Sequence, residues 1–170
     1  MNKVPYELIV TDVDGVLTNG RYLYDVYGKQ YKEFGPHDAD GVKFFRKFGV
    51  EVLAISADKR GFPITEKRLK DMGVPITLVS ENDRLSYVNR ISNSKRFAFI
   101  GDGYFDISSL LASTVGYAPS NALDVVKKHA DVVLPICGGE GVLLAAFEHF
   151  LSIYDLDSYN KFINGGLTYG

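Results

Sequence analysis

The sequence predicts an α/β fold: a Rossmann-like parallel sheet in three layers, helices on both faces, and a β-hairpin inserted after the first strand. Three observations predict it. Apolar runs of strand length alternate with helical patterns along the chain. Glycines and a proline stand where helices should stop or start. Acidic residues gather just beyond the first and fourth apolar runs, the edge where open parallel sheets bind ligands.

The elements follow in order. Tyr6 to Val13 is an apolar run that reads as a buried central strand, ending in the turn Asp14-Gly15. Arg21 to Asp25 and Lys29 to Phe34 are aromatic-rich and flank a turn at Tyr27-Gly28, which gives the hairpin, about residues 20–35. Ala39 to Phe48 carries Val42, Phe45 and Phe48 on one helical face and stops at Gly49. Glu51 to Ser56 is the second strand of the parallel sheet. Pro63 opens the next helix and Gly73 closes it. Ile76 to Val79 is a strand, Asn82 to Ile91 a helix, and Arg96 to Ile100 a strand ending at Gly101-Asp102. Tyr104 to Ala112 is helical, Val115 to Ala118 a strand, and Ser120 the N-cap of a short helix ending near His129. Asp131 to Leu134 reads as a sixth strand and Val142 to Ile153 as the last helix; Tyr154 to Gly170 shows no firm periodicity.

The 170 residues suit one domain, 1–153, followed by a tail, 154–170. Hydrophobic residues make up 46%, enough for a three-layer core. Nineteen Lys and Arg against 21 Asp and Glu leave a net charge of -2, which speaks against a nucleic-acid partner held on a strong basic face. Cys137 is the only cysteine, so no intramolecular disulfide forms, and a reducing compartment fits. The apolar stretch near the start is too short for a signal peptide, and no run approaches the roughly 20 residues of a membrane helix. The expectation is a soluble, cytoplasmic protein.

Asp12 and Asp14 close the first strand, Ser56 the second, and Asp102 and Asp106 follow the fourth. On a continuing strand Asp12 and Asp14 would face opposite ways, so Gly15 must bend the chain. Carboxylates packed together repel unless a cation compensates, and hard oxygen ligands at a small site suit Mg²⁺. Asp12, Asp102 and a backbone carbonyl near Asp14 would hold it. A carboxylate can attack a phosphoryl group whose charge is neutralised, a second acid can protonate the leaving oxygen, and Ser56 can donate to a phosphate oxygen. Arg84 is the cation best placed near the third strand, with Lys59 as the spare.

The segment D-V-D-G-V-L-T from Asp12 to Thr18 resembles the first motif of the haloacid dehalogenase superfamily of phosphatases. Ser56, Arg84 and Gly101-Asp102 with Asp106 fall, in order, where that superfamily has its other motifs. The hairpin after Asn19-Gly20, D-A-D-G-V from Asp38 to Val42 and G-G-E-G-V from Gly138 to Val142 are similar to the 3-deoxy-D-manno-octulosonate 8-phosphate phosphatases and the related nonulosonate 9-phosphate phosphatases. The resemblance implies a fold without a large cap domain and a phosphomonoesterase that works through an aspartyl-phosphate. It implies Asp12 as nucleophile and Asp14 as acid/base. Ser56, Ala57, Arg84 and Lys59 become phosphate contacts, Asp12, Asp14 and Asp102 the Mg²⁺ site, and Asp106 an acid supporting it from behind. It also implies four subunits meeting through their hairpins. The chain departs from the family in three places: S-A-D-K replaces T-G-R-K, placing Asp58 for arginine, Glu140 replaces the arginine of G-G-R-G, and Arg84 stands for the usual lysine. Those arginines suit a carboxylate on the substrate. The same four motifs would also serve a nucleotide or polynucleotide phosphatase, and a phospho-accepting module without turnover is a third reading.

The remaining candidates read blandly. Tyr22, Tyr24, Tyr27 and Tyr31 are strand residues on a hairpin that is marginal alone, so packing on another subunit is expected. His37, His129 and His149 lack metal-ligand spacing, Cys137 lacks an activating histidine, and Gly138 to Gly141 is a loop. The tail around Phe162 to Tyr169 is expected to reach a neighbouring site.

Overall fold

The computed structural model describes residues 4–168. Six parallel strands form one sheet in the order β5-β4-β1-β6-β7-β8, with β1 Leu8–Thr11, β4 Glu51–Ser56, β5 Ile76–Leu78, β6 Phe97–Ile100, β7 Val115–Ala118 and β8 Val132–Val133. β1 pairs with β4 on one side and β6 on the other. The chain winds outward from β1 in one direction and then, from β6, in the other. The reversal opens a crevice beyond the carboxyl ends of β1 and β6.

Helices cover both faces, as right-handed crossovers between parallel strands require. One core packs Ile9, Ala98 and Ile100 against α1 His37–Lys47, α2 Phe62–Asp71 and α6 Val142–Tyr154; the other packs Leu8, Val10 and Phe99 against α3 Arg84–Ser92, α4 Ile107–Ala112 and α5 Asp124–Lys127. The alternation along β1 divides its residues between the two cores. The first core is dominated by aromatic pairs: Phe44 stacks on Phe147 at 5.1 Å, and Phe45 meets Phe147 and Phe150 edge-on. Its centre is polar at one point, where a chain of hydrogen bonds runs from Tyr6 to Tyr117 and on to His149 Nδ1, each 3.0 Å.

The inserted hairpin is β2 Thr18–Asp25 and β3 Gly28–Phe34, a separate two-stranded sheet, and the described residues form no large cap domain. The central elements lie within a few residues of their sequence-predicted bounds. Two differ. The short helix after β7 begins at Asp124 with Leu123 before it, and Ser120 does not cap it; the Ser120 hydroxyl lies 3.2 Å from Cys137 Sγ. The tail is not without structure: α7, Leu156–Ile163, is capped by Asp155, whose carboxylate accepts from the Ser158 N–H at 3.0 Å. Phe162 of α7 packs on Phe44 and Phe147, and the Thr168 carbonyl accepts from Lys47 at the far end of α1. The tail through Thr168 thus lies on its own chain's α1 and α6; Tyr169 and Gly170 lie outside the described residues. No helix among the described residues is long and apolar enough to cross a membrane.

Candidate active site

A cleft of about 350 Å³ lies at the sheet's switch point, lined among others by Asp12, Asp14, Ser56, Ala57, Arg84, Asp102 and Asp106. β1 delivers Asp12, whose N–H donates to the Ile100 carbonyl of β6 at 2.9 Å. Directly after, the chain turns. Gly15 takes φ +89°, and a Cβ there would stand inside the Asp102 carboxylate. The buried Thr18 hydroxyl accepts from the N–H groups of Gly15 at 3.2 Å and Gly20 at 3.1 Å, tying the turn to the root of the hairpin.

The second wall comes from the loop after β6. Asp106 Oδ2 accepts the N–H groups of Asp102 at 3.1 Å and Gly103 at 3.0 Å, so one carboxylate folds the loop that presents the other. Asp12, Asp102 and Asp106 each offer an oxygen, all within 4.8 Å of one another. Burial pushes the Asp12 carboxyl well up, and Asp106 beside it adds to the rise. Burial, with Asp106, brings Asp102 up to about 7, and burial raises Asp106 as well, against the pull of Arg84 and its backbone donors. Three such groups accept full ionisation only with a compensating cation. A set made wholly of carboxylate oxygens fits a hard divalent ion such as Mg²⁺.

Arg84, at the start of α3, is buried between two of these acids. One terminal nitrogen is 3.3 Å from Asp12 and the other bonds Asp106. Burial works against its charge, but Asp12 and Asp106 outweigh it and hold its pKa above the usual arginine value. Its Nε is buried without a hydrogen-bond partner, a donor directed to nothing in the protein. Ser56 is buried at the end of β4, its hydroxyl accepting from the Asp58 N–H at 3.1 Å.

Three sequence expectations shift. Asp106 joins the carboxylate cluster itself, because its backbone bonds to the Asp102 loop hold it at the cleft. Asp14 lines the cleft but its carboxylate is turned to Lys32 Nζ, 2.7 and 2.8 Å from its two oxygens, outside the three-acid group. Lys59 is exposed in the turn after β4 and is not among the lining residues, because Asp58 turns inward instead and accepts from the Gly61 N–H at 3.1 Å.

Besides Arg84, two cations reach this edge from the hairpin. Lys32, its side chain fully buried, bonds Asp14, Asp58 at 2.7 Å and the Thr65 hydroxyl at 3.0 Å; Lys29 bonds Asp58 at 2.6 Å. Burial alone would raise Asp58, but Lys29, Lys32 and the Gly61 N–H hold it down at about 2. Residues 29 and 32 of a regular strand face opposite ways. Here Leu23 pairs with Tyr31 and Tyr24 with Lys29, leaving Gln30 as an extra bulged residue that brings both lysines to one side. No periodicity announces such a bulge. The Gly138 loop was also missed as a support: Asn121 donates to the Gly15 carbonyl at 2.9 Å and accepts from the Gly138 N–H at 2.6 Å, and a Cβ on Gly138 would collide with the Gly15 and Thr18 carbonyls.

No protein-family model matches the sequence. A curated relative, the 3-deoxy-D-manno-octulosonate 8-phosphate phosphatase of Haemophilus influenzae, is 29% identical over 140 residues, covering 79% of this chain and 77% of its own. The cobalt-bound structure of the deoxy-D-mannose-octulosonate 8-phosphate phosphatase from that organism superposes with a TM-score of 0.78 at 27% identity, over 87% and 88% of the two chains. A putative hydrolase of the haloacid dehalogenase superfamily from Legionella pneumophila gives a TM-score of 0.80 at 25% identity, over 93% and 86%. In sequence and fold this chain is similar to phosphatases of the haloacid dehalogenase superfamily. The superfamily motifs read from the sequence, at Asp12–Thr18, Ser56, Arg84 and Gly101–Asp106, all meet at the one cleft. The Moraxella catarrhalis octulosonate phosphatase, solved with magnesium, phosphate and its sugar acid, shares the fold with a TM-score of 0.83 at 21% identity, over 96% and 95% of the chains.

Proposed function

We propose that the chain is a Mg²⁺-dependent phosphomonoesterase that acts through an aspartyl-phosphate, on a small sugar or sugar-acid phosphate of the kind its octulosonate 8-phosphate relatives take. One observation carries this reading: oxygens of the buried Asp12 and Asp106 and the half-buried Asp102 gather within 4.8 Å of one another at the sheet's switch point, beside a buried arginine. The residues that would hold the metal are Asp12, Asp102 and Asp106. When bound, the cation neutralises phosphoryl charge and lets the acids ionise. A phosphate seated there takes hydrogen bonds from the Ser56 hydroxyl and the unpartnered Nε of Arg84. An Asp12 oxygen attacks phosphorus and the bond to the leaving oxygen breaks. Asp14, oriented by Lys32, gives that oxygen its proton and then takes one from the water that cleaves the aspartyl-phosphate.

The hairpin supports an assembly of four copies of this chain. It exposes Tyr22, Leu23, Tyr24, Val26, Tyr27 and Tyr31, and a two-stranded ribbon this apolar needs a partner surface. A cytoplasmic site of action agrees with a single, exposed, unpaired cysteine. The purified protein with Mg²⁺ is expected to release phosphate from sugar-acid phosphates and from an aryl phosphate. Asp12→Asn is expected to lower turnover by roughly ten-thousandfold or more, as loss of a nucleophile does. Undiminished turnover in that variant would refute the mechanism.

A further inference from the structure

A charged leaving group needs an opposite charge in the cleft, and Asp58 and Glu140 are acidic where the family resemblance would place arginines. The cleft's positive groups are unequally committed. Arg84 is shared by Asp12 and Asp106. Lys32 has three donors and spends them on Asp14, Asp58 and Thr65. Lys29 also has three, yet its one anionic partner among the described residues is Asp58, and its ammonium lies 3.8 Å above the Tyr22 ring. Lys29 and Tyr22 both line the cleft. A cation held on one side by a carboxylate and on another by an aromatic face, with donors left over, is a fixed point charge facing the substrate.

We infer that Lys29 is a specificity-determining residue: its ammonium, seated on Tyr22 and anchored by Asp58, takes a carboxylate on the leaving group. The β3 bulge at Gln30 thereby restores, from the hairpin of the same chain, a positive charge that Asp58 removes from the loop after β4. Asp58 holds Lys29 in place instead of reading the substrate. The inference rests on the phosphatase reading and deepens it.

The test uses the full-length enzyme with Mg²⁺ and two substrates, 3-deoxy-D-manno-octulosonate 8-phosphate and arabinose 5-phosphate, which lacks the carboxylate. Wild type is expected to prefer the carboxylated substrate. Lys29→Gln should lower kcat/KM for it, chiefly through KM, by roughly tenfold to a hundredfold more than for arabinose 5-phosphate, the range of one charged hydrogen bond. Lys29→Arg should restore most of that difference. Lys32 still ties the hairpin to Asp58 in these variants, so an unchanged melting curve serves as the folding control. Equal losses on both substrates, no loss, or a wild type without preference for the carboxylate would each overturn the role of Lys29 while leaving the phosphatase standing. A wild type inactive on every phosphomonoester would instead remove the underlying reading.

Discussion

At the scale of single residues, the site depends on groups that are costly where they stand. Gly15 is the sharpest case. Any side chain there must adopt φ +89° and displace the Asp102 carboxylate. Backbone strain alone costs about 1–2 kcal/mol, and the clash drives the Asp102 carboxylate out of the three-acid cluster proposed to hold the metal. Gly15→Ala is expected to abolish Mg²⁺ binding, measured by calorimetry, with the fold retained by circular dichroism; normal affinity would contradict the placement of Asp102. Titration follows from the same crowding. With Asp102 at about 7 and Asp12 also raised, the metal-free site holds protons near neutrality, and a protonated carboxyl is a poor ligand. Mg²⁺ affinity should therefore rise with pH, by about tenfold per unit below pH 7 for each proton released, and level off above it. Calorimetry in buffers of different ionisation heat should register that release.

At the scale of elements, the starts of three helices are held by acidic side chains. Asp38 at the start of α1 reaches across to accept the Leu143 N–H at the start of α6, 2.8 Å away, while its other oxygen is buried without a partner. Burial pushes it up to about 6. Because the folded value lies above the ordinary 3.8, the folded state holds the proton more tightly. The contribution to stability is full below about pH 4 and is lost as pH rises to 6. About two units correspond to about 3 kcal/mol. Asp38→Asn should therefore gain on wild type across that window in urea unfolding, and a pH-independent difference would refute the assignment. At α7, Asp155→Ala removes the cap and should cost about 1 kcal/mol, seen as loosened tail amides in hydrogen exchange. α7 carries a helical pattern of its own, with Leu156, Tyr159, Phe162 and Ile163 on one face, which the sequence reading overlooked; at eight residues it is marginal alone and is held by Phe162 against Phe44 and Phe147.

At the scale of the whole molecule, the aromatic core between α1 and α6 holds the sheet whose edge carries the acidic cleft. Phe147 is fully buried and meets Phe44, Phe45, Phe48, Phe150 and Phe162. Phe147→Ala should cost about 3–5 kcal/mol by urea unfolding. The cleft lies beyond the carboxyl ends of the strands and none of these phenylalanines lines it, so the variant that still folds should keep its KM.

By itself the sequence determined the layered fold, most strand and helix bounds, and the acidic residues at the edge, because burial imposes local periods and turns demand particular residues. Asp12, Ser56, Arg84 and Asp102 were legible for that reason: Ser56 ends a strand, Asp12 and Asp102 follow one within two residues, and Arg84 opens a helix. Tertiary structure alone decided that Asp106 joins the carboxylate cluster, that Asp14 turns to Lys32, that Lys59 stays in solvent, and that Lys29 and Lys32 converge on Asp58. Those outcomes follow from loop hydrogen bonds, a bulged strand and the competition of buried charges for partners, and such long-range terms leave no period in the chain.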